Sequence, residues 1–261
     1  MNHAMRALII ILCVQVVHAA APKKKRARKA ARNVTFEHRF SDDLKQTADS
    51  EARLDKWYRD AKFGAFIHFG VYSTLEGEYK GRGSQHRYSE WIQVSGKIPA
   101  NEYHQVAAKF NPAEFDADEW VRAFKSAGAK YVTITTKHHD GFAMYDSAVS
   151  DYDIVERTPY GKDIIAALKE ACDRHGLKLF FYYSQLDWHH PDYYPRGRTG
   201  GDYTGRPDHG DWDAYIDYMN AQLRELLTNY GNIGGFWFDG WWDQKKKHMG
   251  AKDASATATQ V

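Results

Sequence analysis

From residue 57 onward, short apolar runs alternate with longer amphipathic ones. The first run, Phe63-Gly64-Ala65-Phe66-Ile67-His68-Phe69-Gly70, is apolar on both faces and closed by glycine. That pattern predicts a buried parallel strand. Residues 71–100 are rich in Gly and Tyr and read as a long loop. Phe115, Trp120, Phe124 and Ala127 recur at helical spacing, which predicts a helix over 116–127 stopped by Gly128. Tyr131 to Thr136 is a β-branched strand. A helix follows over 164–175, stopped by Gly176, and then a third strand over 177–183. A long helix with an acidic start covers 211–230, and Gly235 to Gly240 is a fourth short strand. A further helix is expected around 42–58. Strands alternating with helices predict an α/β fold with a parallel sheet and crossover helices.

The polar residues collect at one end of every strand. His68 ends the first, and His138 and His139 follow the second. Tyr182, Tyr183 and Ser184 end the third, with Asp187, Trp188, His189 and His190 close behind. Asp239 ends the fourth, ahead of Trp241 and Trp242. In a (β/α)₈ barrel of the TIM type, the C-terminal strand ends converge on one face, where active sites lie.

Composition sharpens this picture. Aromatic residues make up 15% of the chain, including 8 Trp and 17 Tyr. Such flat, amphipathic rings suit a sugar surface and equally suit a Trp-rich core. Residues 1–32 hold 8 of the 36 basic residues and no acidic one, leaving 28 basic against 34 acidic in the remainder. That acidic balance argues against a nucleic-acid partner. Arg6, the apolar run Ala7–Val17 and the small residues Ala19–Ala21 form the three-part pattern of an export signal over 1–21, with an apolar segment too short to span a bilayer. The expected location is secreted or periplasmic, or lysosomal in a eukaryote, with no membrane span after cleavage. Residues 22–49 then form a basic and polar flank; in another position the run Lys23–Lys29 would read as a nuclear signal. Signal cleavage would remove Cys13 and leave Cys172 without a disulfide partner.

Asp239 is the sharpest candidate. It follows Phe-Trp-Phe and precedes Gly, and a carboxylate among aromatic rings is costly unless it is hydrogen-bonded or reactive. The plainer reading is an Asp-Gly turn. His68, His138, His139, His189 and His190 suggest metal ligands as an alternative. Adjacent residues on a strand point to opposite faces, however, so one of His138 and His139 should turn away from any shared metal unless the chain bends there. Glu90-Trp91 lies in the loop after the first strand, where barrel loops reach the site; alone, it reads as a surface Glu beside an anchoring Trp. Tyr72, Tyr79 and Tyr88 in that loop read as packing residues.

Together these segments resemble the α-L-fucosidases of glycoside hydrolase family 29. The motifs are Trp57 to Ser73 through Phe63-Gly64-Ala65-Phe66-Ile67-His68-Phe69-Gly70, Ser89-Glu90-Trp91, Lys137-His138-His139-Asp140-Gly141-Phe142, Tyr182-Tyr183-Ser184 and Phe238-Asp239-Gly240-Trp241-Trp242, in this order. The resemblance covers roughly residues 50–244 and implies a TIM-like barrel with a retaining, double-displacement mechanism. Asp239 matches the nucleophile. His68, Glu90, Trp91, His138 and His139 match residues that hold the hydroxyls and ring of fucose. Tyr182 matches a tyrosine beside the nucleophile, and Trp242 an aromatic wall. The implied partner is a fucosylated oligosaccharide or glycoconjugate, with no metal and no cofactor.

One departure is large. A retaining glycosidase needs a second carboxyl about 5–5.5 Å from the first, which in the family is a Glu well beyond the nucleophile. After Asp239 only 22 residues follow, with Asp243 and Asp253 but no Glu. Residues 245–261 read as a low-complexity or out-of-frame tail. The expectation is therefore the first four strand–helix units of a barrel, truncated before its acid/base. Such a chain should turn over little, and its fourth strand should leave an apolar edge open. Two other readings stay open, a fucose-binding remnant without catalysis and a metal-dependent barrel hydrolase.

Overall fold

The computed structural model describes residues 52 and 56–243, apart from 84–87, 195, 198 and 202–203. The expected export signal, basic flank and tail, and most of the helix expected at 42–58, lie outside the described residues; 56–61 are helical. No helix among the described residues is long and apolar enough to cross a membrane.

Four parallel strands form the sheet: β1 (Gly64–Ile67), β2 (Tyr131–Lys137), β3 (Lys178–Ser184) and β4 (Gly235–Asp239), side by side in chain order. The helices between them are α1 (Ala117–Ser126), α2 (Ile164–His175) and α3 (Trp212–Thr228). Each begins on an aspartate whose carboxylate accepts backbone N–H groups of the first turn. Asp116 accepts from Glu119, Asp163 from Ala166, and Asp211 from Asp213 and Ala214. These caps satisfy donors that a helix start otherwise leaves unpaired. Gly176 ends α2 in the left-handed conformation, φ 72°, which glycine adopts without penalty. This succession of parallel strands and crossover helices is what the spacing predicts, and it is the first four strands of the TIM-like barrel wall that the resemblance implies.

Register sorts the side chains into two faces. Ile67, Ile134, Phe181 and Phe236 stand at one level and pack in the core that also takes in Val121, Phe124, Ile165, Leu168, Leu223 and Leu226 of the helices. Fully burying a side chain such as Phe181 stabilises by about 1.5–3 kcal/mol. The alternate positions, Phe66, Thr133, Phe180, Tyr182 and Trp237, face the concave side. The sheet curls enough for Phe66 of β1 to meet Trp237 of β4 edge-on, ring centroids 5.3 Å apart. Trp57 closes the lower end by stacking on Phe180.

The segment 71–100 is not a plain loop. It carries 3₁₀ turns at Val71–Leu75 and Ser89–Trp91, a two-residue ladder pairing Glu78–Tyr79 with Arg82–Gly83, and a short helix Ile92–Ser95. Ile92, Ile98, Tyr103 and Val106 bury themselves in the core, and Tyr72 reaches Thr135 of β2. Tyr79 donates to Glu102, whereas Tyr88 is exposed. One-turn elements are too short to show a period, so the pattern hides them. Among the described residues β1 and β4 each pair on one side only, and Trp237 and Phe238 of β4 are 43% and 36% exposed. Cys172 is a buried free thiol, pushed up to about 12 by its burial.

Candidate active site

Asp239 closes β4 with its carboxylate held from three directions. Oδ1 accepts the Gly240 backbone N–H at 2.6 Å and the Trp242 indole N–H at 2.8 Å. Oδ2 accepts the Tyr182 hydroxyl at 2.8 Å. Burial pushes the carboxyl up, and the bonds donated by Trp242, Tyr182 and Gly240 act against it, with Asp239 held below the usual carboxylate range. Gly240 makes this cradle possible. Its φ is 93°, and a Cβ there would meet the Leu186 backbone N at 2.6 Å, so the chain turns where a side chain would not fit.

His139 faces the same carboxylate, Nε2 lying 3.8 Å from Asp239 Oδ2. Its tautomer follows from the hydrogen bonds behind it. Ser184 Oγ donates its only hydrogen to the Leu186 carbonyl at 2.6 Å. The 2.7 Å contact between Ser184 Oγ and His139 Nδ1 must then run from the imidazole N–H to the hydroxyl oxygen. Burial lowers His139 to about 3, so at neutral pH the ring is uncharged and Nε2 carries a lone pair. Two acceptors thus face each other across 3.8 Å, an arrangement that invites a hydroxyl donor.

His138 does not turn away, because the chain bends at the end of β2, the case the strand-alternation expectation left open. The register shifts between Thr135 and Lys137, and the strand ends at Lys137. The two rings consequently converge, with centroids 4.2 Å apart. His138 stacks on Tyr182 at 5.2 Å with planes 6° apart, and burial holds it well below the ordinary histidine range. Its Nδ1 is buried with no hydrogen-bond partner among the described residues. His68, exposed at the end of β1, packs on Phe66, His138 and Tyr182. Glu90 comes in from the 3₁₀ turn, its carboxyl raised by burial. Ligand atoms of His68, Glu90 and His138 all lie within 4.8 Å of one another.

The opposite side is aromatic. Trp91 and Trp242 stack at 5.6 Å with planes 14° apart, and both meet His139 edge-on. Trp188 closes this wall against Trp91 and His139. The cluster therefore has a polar flank of imidazoles and a carboxylate and an indole flank, which meet at the Asp239 carboxylate.

A family model described as Alpha-L-fucosidase matches residues 30–261. The chain belongs to the α-L-fucosidase family. It is 33% identical over 210 residues to an α-L-fucosidase of Dictyostelium discoideum, covering 73% of this chain and 42% of that one. It is 29% identical to the human tissue α-L-fucosidase, covering 73% and 40%. The chain thus spans about two-fifths of the length of these curated relatives. Among solved structures, an α-L-fucosidase of Vibrio sp. strain EJY3 superposes with a TM-score of 0.72 at 32% identity, covering 78% of this chain and 35% of that one. AlfC from Lactobacillus casei, solved with α-L-fucose product, matches with a TM-score of 0.67 at 40% identity, covering 78% and 64%.

In this member of the α-L-fucosidase family, the eight residues singled out in the sequence form one contact cluster. Asp239, Tyr182, Trp242 and His139 meet at the carboxylate, Trp91 joins through Trp242, His68 and His138 adjoin through Tyr182, and Glu90 lies beside His68 and His138. Other strand-end residues go elsewhere. His189 stacks on Tyr152 and bonds His104, and His190 packs on Tyr218. The Asp243 carboxylate accepts from Thr199 and Tyr193. Sequence reasoning missed the part played by Ser184 and the pair formed by Lys137 with Asp187, 2.8 Å apart and fully buried. A lysine inside an otherwise apolar and β-branched strand was the available signal for that pair.

Proposed function

We propose that this chain carries the fucose-binding hollow and the nucleophile of a retaining α-L-fucosidase. The observation that carries the reading is the ionised Asp239 at the end of β4, cradled by three donors and facing the lone pair of His139. Oδ1 holds two of the donors and Oδ2 one, so Oδ2 is the oxygen freer to attack. In the first step Oδ2 bonds to the anomeric carbon, and the glycosidic bond breaks with its electron pair leaving on the aglycone oxygen. The product is a fucosyl ester of Asp239. Tyr182 stays a phenol, since burial and the neighbouring Asp239 raise it well above its usual range; it steadies the carboxylate by donating. His68, Glu90, His138 and His139 receive the sugar hydroxyls, and the indoles of Trp91 and Trp242 cover its apolar edge.

The acid/base is assigned to no described carboxyl. Asp243, the carboxylate nearest to Asp239 in sequence, is buried and already bonded to Thr199 and Tyr193. With no described carboxyl in the acid/base role, the described site should be fucosylated by activated substrates and deacylate slowly. With 4-nitrophenyl α-L-fucoside, we expect a burst approaching one equivalent of nitrophenolate followed by a near-stop, with no burst from Asp239→Ala. Steady turnover by Asp239→Ala would contradict the reading, as would absence of a burst from folded wild type. Binding of L-fucose without any burst would instead favour the non-catalytic reading. The signal-like pattern of residues 1–21 supports export to the periplasm or the cell exterior, or to the lysosome in a eukaryote. Fusing residues 1–32 to an export reporter tests it, and retention of the reporter inside the cell would contradict it.

A further inference from the structure

We propose that His68, Glu90 and His138 also form a site for a borderline transition-metal dication such as zinc, and that an occupied site excludes the sugar. Three separate elements bring the ligands together: the end of β1, the 3₁₀ turn Ser89–Trp91 and the bend after β2. Their ligand atoms lie within 4.8 Å of one another. Zinc binds imidazole nitrogen and carboxylate oxygen at about 2.0–2.2 Å, and two His with one Glu form a set that leaves a fourth position open to water. Tetrahedral coordination at those bond lengths puts ligand atoms roughly 3.3–3.6 Å apart. The trio therefore needs to close by about 1 Å or a little more. His138 stays anchored while it does so, stacked on Tyr182 and against His139. His68 is exposed and Glu90 half-buried on a short turn, so the closure falls to these two side chains.

The chemistry of the ligands agrees. His138 Nδ1 is buried without a hydrogen-bond partner among the described residues. Asp239 adds negative potential beside His68. The nearby cation, Lys137, is neutralised by Asp187 at 2.8 Å. A hard cation such as magnesium prefers oxygen ligands and keeps its waters, so nitrogen-rich binding should discriminate against it. Exclusion of the sugar rests on the proposed function, which gives the same three groups to fucose hydroxyls; the metal site itself does not.

The test is calorimetric titration of the untagged chain with zinc chloride, with magnesium chloride as control. We expect one equivalent of zinc bound at micromolar affinity and no saturable magnesium binding. Glu90→Gln and His68→Ala should each weaken zinc at least tenfold while circular dichroism reports an unchanged fold. Cobalt(II) provides a readout on the unaltered protein, because a four-coordinate site gives intense visible absorption. Absence of saturable zinc binding, or binding unchanged in both variants, would overturn the site even if fucose binds. Zinc binding that depends on Glu90 and His68 supports the site even if fucose does not bind, and that second failure would fall on the sugar reading alone.

Discussion

Ser184 fixes the proton of His139. The serine spends its own hydrogen on the Leu186 carbonyl, so its oxygen accepts from Nδ1 and leaves the Nε2 lone pair facing Asp239 Oδ2 at 3.8 Å. In Ser184→Ala that constraint is gone, and Nε2–H can turn its proton onto the Asp239 carboxylate. On the proposed function, the site then loses an acceptor for a sugar hydroxyl, and Asp239, the proposed nucleophile, gains a competing bond. We expect L-fucose affinity to fall about tenfold, corresponding to roughly 1.4 kcal/mol, and stability to drop by about 1–3 kcal/mol as the buried Leu186 carbonyl loses its donor. Calorimetry and a melting curve check both. Unaltered affinity would show that the tautomer does not matter to binding.

The Lys137–Asp187 pair supports this geometry from behind. Both side chains are fully buried, and Asp187 also accepts the backbone N–H groups of His189 and His190. The Trp188 N–H between them donates to the His139 carbonyl. Lys137→Met leaves a buried carboxylate without its counter-charge, which costs about 3–5 kcal/mol. Denaturant unfolding should show that loss, and the double variant Lys137→Met/Asp187→Leu should recover part of it. A single variant as stable as wild type would refute the buried-pair account.

Acid should destabilise the fold below neutrality. Burial lowers His138 well below its ordinary range, His139 to about 3 and His104 to about 4. The unfolded chain, with histidines near 6.5, therefore binds more protons than the folded one as pH falls from about 6.5 towards 4. Stability from these groups is complete above the unfolded value and is lost on acidification. Asp140 runs the other way: burial raises it to about 6, so its protonation favours the fold as pH drops through that value. Glu90 and Asp153, also raised by burial, act in the same sense as Asp140, and the several lowered imidazoles outweigh these three carboxyls. The midpoint of thermal unfolding should fall steadily between pH 7 and pH 5, and a midpoint that rises on acidification would contradict the assignment of neutral buried histidines.

Much of this architecture was legible along the chain, for identifiable reasons. The bounds of α2 can be read from Asp163 and Gly176, because capping chemistry is local. The strands can be read because their apolar runs are bounded by glycine or polar clusters. The convergence of His138 and His139 could not be read, since a register shift of β2 against β3 is a property of two strands rather than one. The role of Ser184 was hidden for the same reason, as it depends on the Leu186 carbonyl and a ring 45 residues away. His189 and His190 were open to a metal reading only because sequence places them after β3. Tyr152, His104 and Tyr218 draw them elsewhere.

The measurement that bears most directly on the nucleophile is covalent trapping with 2-deoxy-2-fluoro-α-L-fucosyl fluoride. Fluoride leaves without acid catalysis, so the result does not depend on where the acid/base resides, and the 2-fluoro group slows hydrolysis of the ester. Peptide mass spectrometry should place one fluorofucosyl adduct per chain on Asp239, with none on Asp239→Ala. An adduct on any other carboxylate, or none on a chain that binds fucose, would contradict the account.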